Sequence, residues 1–319
     1  MKVSIIVPMF NEEKLIASTI ETLTLAFASS QFQWELLLVN DGSDDNTLDI
    51  CKKYSLKNNN IRLISYSRNC GRGKALRVGL SSATGDLILT TEADLTWGTE
   101  ILFKMISEFD DSSIDIVIAS PYTKGGKIIG VPLFRRTLSR LGNKVLGFAV
   151  GGNLTMVSGM TRCYRKKVIE LLDLESNGKE IHLEIISKAM ALGSTIKEIP
   201  AVLKWEKNVT QRRLGKHSFK YGRYILSHLS FSFNEAPFLL LGTIGVTMIL
   251  LGMITAIYAI YLEYTINLKD RLPLITLIIT LLVVGVQILI FLFLANQNRE
   301  IRKEIIRTKA KVLEHNNKK

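Results

Sequence analysis

The sequence predicts an α/β domain built on a mostly parallel sheet, followed by a membrane-anchored C-terminal part. Apolar, β-branched runs alternate with helical segments over residues 1–120, which is typical of a parallel sheet covered on both faces. Polar or glycine-rich loops follow these runs, and such sheets bind ligands at the carboxyl ends of their strands. Two long uncharged stretches near the C-terminus are each sufficient to cross a membrane.

Short apolar runs that stop at turn residues predict the strands of the first half of the chain. Asn11 is expected to cap the first helix, with Glu12 and Glu13 in its first turn, where the helix dipole favours acids. The predicted strands are Val3–Val7, Trp34–Val39, Ile61–Tyr66 and Asp86–Thr91, and the next helices are Thr47–Tyr54 and the one opened by the glycine-rich loop Arg68–Ala75.

Beyond residue 110 the same patterns predict a further set of elements that completes a domain over residues 1–205. They are strands at Ile114–Ala119, Ser158–Tyr164 and Ile196–Leu203, helices at Phe134–Phe148 and Glu180–Leu192, and a loop at Gly125–Pro132.

Two acids separated by one alanine stand at the mouth of the fourth strand. Glu92 and Asp94 occupy positions i and i+2, so an extended chain points both carboxylates to the same side. Paired carboxylates suit a divalent cation, which prefers hard oxygen ligands. A solvated acidic turn is the alternative interpretation of these residues taken alone.

The loops after the four strands are expected to meet, because the carboxyl ends of parallel strands share one edge of a sheet. We therefore expect a single crevice lined by four segments, which are Pro8–Glu12, Asn40–Asp44, Arg68–Lys74 and Glu92–Asp94.

The net charge of +12 is concentrated in two basic blocks that flank the most apolar part of the chain. Residues 204–223 carry seven Lys or Arg against one acid, and residues 299–319 carry eight against three. This placement predicts contact with anionic lipid headgroups rather than nucleic acid. The three cysteines are scattered and odd in number, which argues against a disulfide framework and favours a reducing compartment.

Two stretches of 27 uncharged residues, between Glu235 and Glu263 and between Arg271 and Arg299, predict a transmembrane hairpin. Its helices are expected at about residues 237–262 and 272–296, within a membrane part at 236–298. A basic, amphipathic interfacial segment is expected at 206–235 and a basic tail at 299–319. Because the basic blocks flank the hairpin, both termini and the catalytic domain are expected to be cytoplasmic.

The ordered motifs resemble those of family 2 glycosyltransferases of the GT-A fold, a Rossmann-like nucleotide-sugar-binding domain. They are most similar to those of dolichyl- or polyprenyl-phosphate hexose synthases. The resemblance covers about residues 1–235, and the membrane hairpin also resembles that of some members. The motifs are Ser4–Glu12, Val39–Asp44, Arg68–Ala75, Gly85–Asp86 and Glu92–Leu95.

The resemblance implies roles for individual residues. Glu92 and Asp94 match the D-x-D motif that brings Mg²⁺ or Mn²⁺ to the diphosphate of a UDP- or GDP-hexose. The implied nucleotide-sugar-binding residues are Pro8, Phe10, Glu12, Asp41, Gly71 and Lys74. The implied contacts to donor or acceptor phosphates are Arg212, Arg213 and Ser218 of an R-x-x-G-x-S-like segment, with Arg212 also counted as catalytic, and Arg135 and Arg162.

The predicted activity is inverting transfer of a hexose to a polyprenyl phosphate, in the manner of dolichyl-phosphate mannose synthases and for a cell-envelope glycan. A phosphate acceptor is already anionic, so it needs cationic guidance more than a general base. A lipid or glycan hydroxyl acceptor is the alternative; it would need a base, for which Glu184 is the candidate. A degenerate, non-catalytic membrane scaffold is a second alternative, because Glu92 and Asn40 stand where the family usually has Asp.

Other classes and features receive less support from the sequence. A dinucleotide-binding dehydrogenase would place a third glycine where Leu76 stands, and the segment Gln211–Gly215 is not the Q-x-x-R-W motif of a processive polysaccharide synthase. Gly242 and Gly245 offer a close-packing surface through which the hairpin can form a homo-oligomer.

Overall fold

The computed structural model describes residues 1–149, 153–204, 241–266 and 272–317. The chain divides into two compact units, one formed by Met1–Ile225 with Ile306–Lys319 and the other by Leu226–Ile305. The predicted interfacial segment at 206–235, which contains Arg212, Arg213 and Ser218, lies outside the described residues.

A seven-stranded sheet forms the centre of the first unit, in the order β3-β2-β1-β4-β7-β5-β8. All neighbours pair in parallel except β7, which runs antiparallel to β4 and β5. This agrees with the predicted mostly parallel α/β sheet. The strands are β1 Lys2–Met9, β2 Gln33–Asp41, β3 Ile61–Tyr66, β4 Leu87–Thr90, β5 Ile116–Ser120, β7 Arg162–Arg165 and β8 Ile196–Pro200.

Helices cover the sheet and connect its strands. They are α1 Ile16–Ala28, α2 Thr47–Lys57, α3 Arg72–Ser82, α4 Glu100–Ser107, α5 Leu133–Ala149, α6 Lys166–Ile169 and α7 Ile181–Ala191. Every residue of Val3–Met9 and of Glu35–Asp41 is buried, as expected for central strands enclosed on both faces. Strand β4 is buried throughout as well, so the core lies along β1, β2 and β4, whose ends carry three of the four predicted site loops.

The start of the first helix differs from the sequence prediction. Helix α1 begins at Ile16, and Asn11 adopts a left-handed conformation with φ 57°. The Asn11 side chain accepts a hydrogen bond from the Asp44 amide at 2.9 Å instead of capping the helix. The physical reason is that asparagine tolerates positive φ, so the side chain can join the loops after β1 and β2.

The second half of the domain holds two further departures from the prediction. The expected strand 196–203 is split into β8 and a separate strand β9, Val202–Lys204. Strand β9 pairs in parallel with β6, Lys127–Ile129, inside the stretch that was expected to be only a loop. These strands are only three residues long and depend on each other for pairing, so local periodicity does not reveal them.

A buried polar cluster closes the opposite, amino-terminal edge of the sheet. The Glu35 carboxylate accepts hydrogen bonds from Ser4 Oγ at 2.6 Å and from the Thr84 amide at 2.7 Å, and Arg62 Nη1 lies 2.8 Å away. Burial alone would raise the pKa of Glu35, but these hydrogen bonds outweigh it and lower the pKa from 4.5 to about 2.

This cluster predicts a loss of stability in acid. Because the folded-state pKa of Glu35 lies below its ordinary value, its contribution is present above pH 4.5 and disappears as the pH falls towards 2. Glu35→Gln is expected to remove about 3 kcal/mol of that pH-dependent stability, which unfolding experiments at several pH values would measure. The matched change Glu170→Gln, at a half-exposed pair with Lys166, should alter the free energy of unfolding by less than about 0.5 kcal/mol.

Two apolar helices lie where the membrane hairpin was predicted and could form it. Helix α8, Thr243–Ile266, and helix α9, Leu272–Asn317, are both long and apolar enough to cross a membrane. Helix α9 continues without a break through most of the segment predicted as a basic tail. The apolar pattern locates the second span but not the end of the helix, because Lys, Arg and Glu also favour helix.

Glycines let the two helices of this unit approach each other closely. A Cβ on Gly245 would lie 3.1 Å from the Gly285 carbonyl oxygen and 2.9 Å from Leu289. A Cβ on Gly252 would lie 3.0 Å from Leu282. Small residues serve this purpose in membrane helix pairs. Gly245 therefore packs within the hairpin itself, and the homo-oligomer that the sequence suggested stays a prediction.

Candidate active site at the carboxyl edge of the sheet

The Asp41 carboxylate, at the end of β2, organises the glycine-rich loop that opens α3. Its Oδ1 accepts hydrogen bonds from the Cys70 amide at 2.8 Å and the Tyr66 hydroxyl at 2.7 Å, and its Oδ2 accepts one from the Gly71 amide at 2.9 Å. Burial and the bond to Asp41 raise the pKa of Tyr66. Asp41 thus fixes the loop that carries two other predicted nucleotide-binding residues, Gly71 and Lys74.

Asn40 fits this arrangement as an amide. Its Nδ2 donates to Ser65 Oγ at 3.0 Å, while its Oδ1 accepts from the Ser43 amide at 3.3 Å and from the Ser43 hydroxyl. An aspartate could not donate to Ser65. The departure from the family pattern at this position is therefore matched by a local hydrogen-bond partner on β3.

The acid pair after β4 contacts the glycine-rich loop, as the predicted convergence requires. Arg72 Nη1 lies 3.8 Å from Glu92 Oε1, and both side chains are partly exposed. Asp94 accepts hydrogen bonds from the amide and hydroxyl of Thr96, which orient its carboxylate. On the other side, the Thr19 hydroxyl of α1 donates to the Ala93 carbonyl and holds the residue between the two acids.

The remaining predicted nucleotide residues lie on the same edge. Pro8 is buried in β1 opposite Val39, whereas Phe10 is 40% exposed just beyond the strand. The Glu12 amide donates to Thr47 Oγ1 at 2.9 Å, joining the loop after β1 to the start of α2. The Lys74 ammonium lies 5.2 Å from the centre of the Tyr66 ring. All four predicted loops therefore share one edge, although their roles toward a nucleotide stay predictions.

A second loop, residues 174–178, packs directly on the start of α3. The Asn177 carbonyl accepts a hydrogen bond from the Gly73 amide at 2.7 Å, and Arg77 Nη1 donates to the Leu174 carbonyl at 3.1 Å. A Cβ on Gly73 would stand 2.5 Å from the Ser176 carbonyl oxygen, and one on Gly71, where φ is 101°, would stand 2.4 Å from the Asn177 carbonyl oxygen. Both glycines are required by close backbone approach.

Glu184 on α7 holds this second loop from below. Its carboxylate accepts hydrogen bonds from the Glu175 amide at 2.8 Å and the Ser176 amide at 2.9 Å, and it pairs with Lys188 at 2.7 Å. Burial would raise the pKa of Glu184, but the bonds from Lys188 and the loop outweigh it and lower the pKa. These partners occupy the carboxylate oxygens of Glu184, so the structure favours a positioning role over that of a general base, which stays a prediction.

This placement predicts a modest effect for Glu184→Gln. If Glu184 only positions the loop, the donor KM should rise and kcat should change by less than about tenfold, whereas loss of a general base lowers kcat by about 10²–10⁴. Steady-state kinetics with varied donor would measure both. Lys188→Met removes the ion pair with Glu184 but leaves the carboxyl group of Glu184 in place, so it should give the same change in KM. A large loss of kcat in Glu184→Gln alone would contradict the positioning role.

The two arginines predicted to contact phosphates have different surroundings. Arg162 on β7 is completely buried, and its guanidinium donates to the His182 carbonyl at 2.8 Å and to the Val157 carbonyl at 2.5 Å. Full burial among carbonyl oxygens is incompatible with a phosphate contact, so Arg162 instead ties β7 to neighbouring segments. Arg135 is half-buried in the first turn of α5, and its role toward a phosphate stays a prediction.

The acid pair fits a divalent cation by its chemistry. Within the described ranges there is no cluster of three or more His, Cys, Asp or Glu side chains able to enclose a metal. Proteins commonly bind Mg²⁺ through one or two carboxylates, with substrate phosphates and water completing the shell. Glu92 and Asp94, partly exposed on one short loop, match that kind of open site.

Comparison with known proteins decides the family. The sequence profile described as Glycosyl transferase family 2 matches residues 4–172, more than half of the chain. The chain belongs to glycosyl transferase family 2. The predicted GT-A fold and glycosyltransferase activity are thereby confirmed, and the matched range of this glycosyltransferase contains all four loops of the crevice.

Two similar proteins illustrate the relationship. The undecaprenyl-phosphate 4-deoxy-4-formamido-L-arabinose transferase of Salmonella choleraesuis is 26% identical over 265 residues, which are 82% of this chain and 76% of that protein. The crystal structure of glucosyl-3-phosphoglycerate synthase from Mycobacterium tuberculosis with uridine diphosphate has a TM-score of 0.51 at 18% identity. The matched region covers 72% of this glycosyltransferase and 80% of the synthase chain. At this level of identity the similarity concerns the fold only.

Several structural residues of this glycosyltransferase were not singled out from the sequence. Arg72 reaches Glu92, Tyr66 completes the Asp41 cluster, and Asn177 seats the second loop on Gly73. Arg72 stood inside a recognised motif and could have been proposed from its position. Asn177 carries no local signal, because its contact joins segments about a hundred residues apart.

Proposed function

We propose that this glycosyltransferase moves a hexose from a UDP- or GDP-sugar to a polyprenyl phosphate at the cytoplasmic face of a membrane. The observation that carries the proposal is the presence, in one chain, of a family 2 catalytic domain and two helices of membrane-spanning length. The acceptor named for the Salmonella relative, undecaprenyl phosphate, supports the same acceptor class here.

The residues of the crevice suggest how the donor is handled. Asp94 and Glu92 would hold Mg²⁺ or Mn²⁺ against the donor diphosphate, where the cation offsets negative charge that grows as the glycosidic bond breaks. The glycine-rich loop fixed by Asp41 would hold the nucleotide, and Arg72 would bring a positive charge beside the acids. Arg212, Arg213 and Ser218 are proposed to contact phosphates from the segment outside the described residues.

The hydrogen bonds and the ion pair that Glu184 makes favour a phosphate acceptor over a hydroxyl acceptor. A hydroxyl must lose its proton as it attacks, and the predicted base for that step is bound by Lys188 and two amides. A phosphate monoester is already ionised at neutral pH and can attack the anomeric carbon directly, which inverts its configuration. Direct attack therefore needs no residue of this chain to remove a proton.

The test is a transfer assay with the full chain in detergent or nanodiscs. With polyprenyl phosphate, Mn²⁺ and labelled UDP- or GDP-hexoses, the protein is expected to form a lipid-linked sugar that mild acid releases. Transfer only to lipid or glycan hydroxyls would overturn the acceptor proposal while leaving the family activity. Failure to bind any nucleotide-sugar would instead support the non-catalytic scaffold.

A further inference from the structure

Helix α5 has its apolar residues on the outside of the catalytic domain. Leu133, Phe134, Leu138 and Leu141 are 77%, 78%, 59% and 58% exposed. Phe134, Leu138 and Leu141 stand at positions i, i+4 and i+7, so they form one stripe along the helix. A helix on the surface of a soluble domain normally turns such a stripe toward the core.

The opposite, polar side of α5 attaches it to the domain. Asn143 is buried, and its Oδ1 accepts hydrogen bonds from the Val157 and Ser158 amides at 3.0 and 3.1 Å. The Tyr122 hydroxyl donates to Ser139 Oγ at 2.8 Å. These bonds set the rotation of the helix, so the apolar stripe cannot turn inward without breaking them. The hydrogen bonds of the fold therefore keep the apolar stripe on the outside of the domain.

The charges beside the stripe indicate what covers it. Arg136, Arg140 and Lys144 are exposed and spaced four residues apart, so they form a basic row, and α5 contains no Asp or Glu. The row meets the apolar residues where Arg136 follows Leu133, and Lys144 follows Leu141, by three residues. Two copies of this helix would place like charges together, whereas an anionic lipid surface accepts both the apolar stripe and the basic row. The long arms of Arg and Lys also reach headgroups while their stems lie along apolar chains.

We propose that α5 docks the catalytic domain onto the anionic lipid surface, as a membrane contact separate from the two spanning helices. The stripe of Phe134, Leu138 and Leu141 enters the headgroup–acyl boundary, and the basic row binds lipid phosphates. The proposal rests on the membrane anchoring in the proposed function but not on the identity of donor or acceptor. It gives the domain a fixed orientation toward a lipid substrate.

The experiment uses the full chain in nanodiscs with a single fluorophore. In a Cys70→Ser background, where Cys51 and Cys163 are fully buried, a polarity-sensitive label is attached at Leu138→Cys or Leu141→Cys. Leu56→Cys on α2, 86% exposed in the parent chain, is the matched control. In phosphatidylglycerol discs, lipid-borne doxyl quenchers are expected to quench the α5 labels several-fold more than the control, and aqueous iodide is expected to do the reverse.

Neutralising the basic row tests the charge requirement. Arg136→Gln/Arg140→Gln/Lys144→Gln, or replacement of phosphatidylglycerol by phosphatidylcholine, should weaken lipid quenching at Leu138 and Leu141. The matched triple change Lys53→Gln/Lys57→Gln/Lys104→Gln on other exposed helix positions should not.

Two outcomes would overturn the docking proposal. One is equal iodide access at α5 and α2. The other is concentration-dependent shielding from both quenchers, which would assign the stripe to a second copy of the chain. Fluorescence is read without substrates, so these outcomes are independent of the transfer assay.

Discussion

Asp94→Asn is expected to lower turnover by about 100-fold or more, because the proposed function makes Asp94 a ligand of the cation that contacts the leaving diphosphate. The substitution preserves the size of the side chain and an oxygen for Thr96, so the loop after β4 should keep its conformation. Calorimetric titration of UDP or GDP with and without Mn²⁺ supplies a readout besides turnover. The parent chain should show cation-dependent nucleotide binding, and Asp94→Asn should lose most of that dependence.

The control for this prediction lies at the other end of the same strand. Asp86 precedes β4 and accepts a hydrogen bond from the Lys2 amide at 2.8 Å, at the edge remote from the crevice. Asp86→Asn makes the same chemical change and should leave the cation dependence of nucleotide binding intact. Equal turnover in Asp94→Asn and the parent chain would show that Asp94 is not a cation ligand.

Gly73→Ala is expected to weaken nucleotide binding by about tenfold or more, as overpacking of about 1–3 kcal/mol separates the two loops that meet at α3. The new Cβ would stand within 2.6 Å of backbone atoms of Ser176, Asn177 and Gly178. Backbone cannot rotate away as a flexible side chain can, so the 174–178 loop must shift. Donor KM and the dissociation constant of UDP or GDP would measure the effect.

Gly142→Ala is the matched control, because a Cβ there meets nothing within 4 Å. The same change in a helix interior without a clash stabilises by about 0.5–1 kcal/mol, and nucleotide affinity should not change. Unchanged affinity in Gly73→Ala would mean that the contact between the two loops is not needed for the nucleotide site.

The sequence predicted the catalytic half closely because its signals are local. Strand β3 was predicted with its observed bounds. Strands β1 and β2 are apolar runs that end at turn residues. Parallel strands place successive loops at one edge, which explains why the predicted convergence of the glycine-rich loop and the acid pair is observed, as a contact between Arg72 and Glu92. The apolar spans were equally visible because membrane helices need long uncharged runs.

Contacts between distant segments required the tertiary structure. From the sequence, Arg162 was predicted to contact a phosphate. In the structure it is completely buried, because β7 runs antiparallel between β4 and β5. From the sequence, Glu184 is an acid on a helix. In the structure, two amides of the 174–178 loop donate hydrogen bonds to its carboxylate. The burial and the hydrogen-bond partners of a charged residue decide whether it performs chemistry or supports the fold. Neither can be predicted from the spacing of residues along the chain.

The sequence by itself determined the family, the order of the four site loops and the presence of two membrane-length helices. Each of these depends on residues that are close in the chain, where apolar periodicity, glycine and proline act directly. Only the tertiary structure decided that Glu184 positions a loop and that α5 turns its apolar stripe outward. Helical spacing shows that α5 has two faces, but the hydrogen bonds that Asn143 and Ser139 accept from Val157 and Tyr122, outside the helix, determine which face meets the domain.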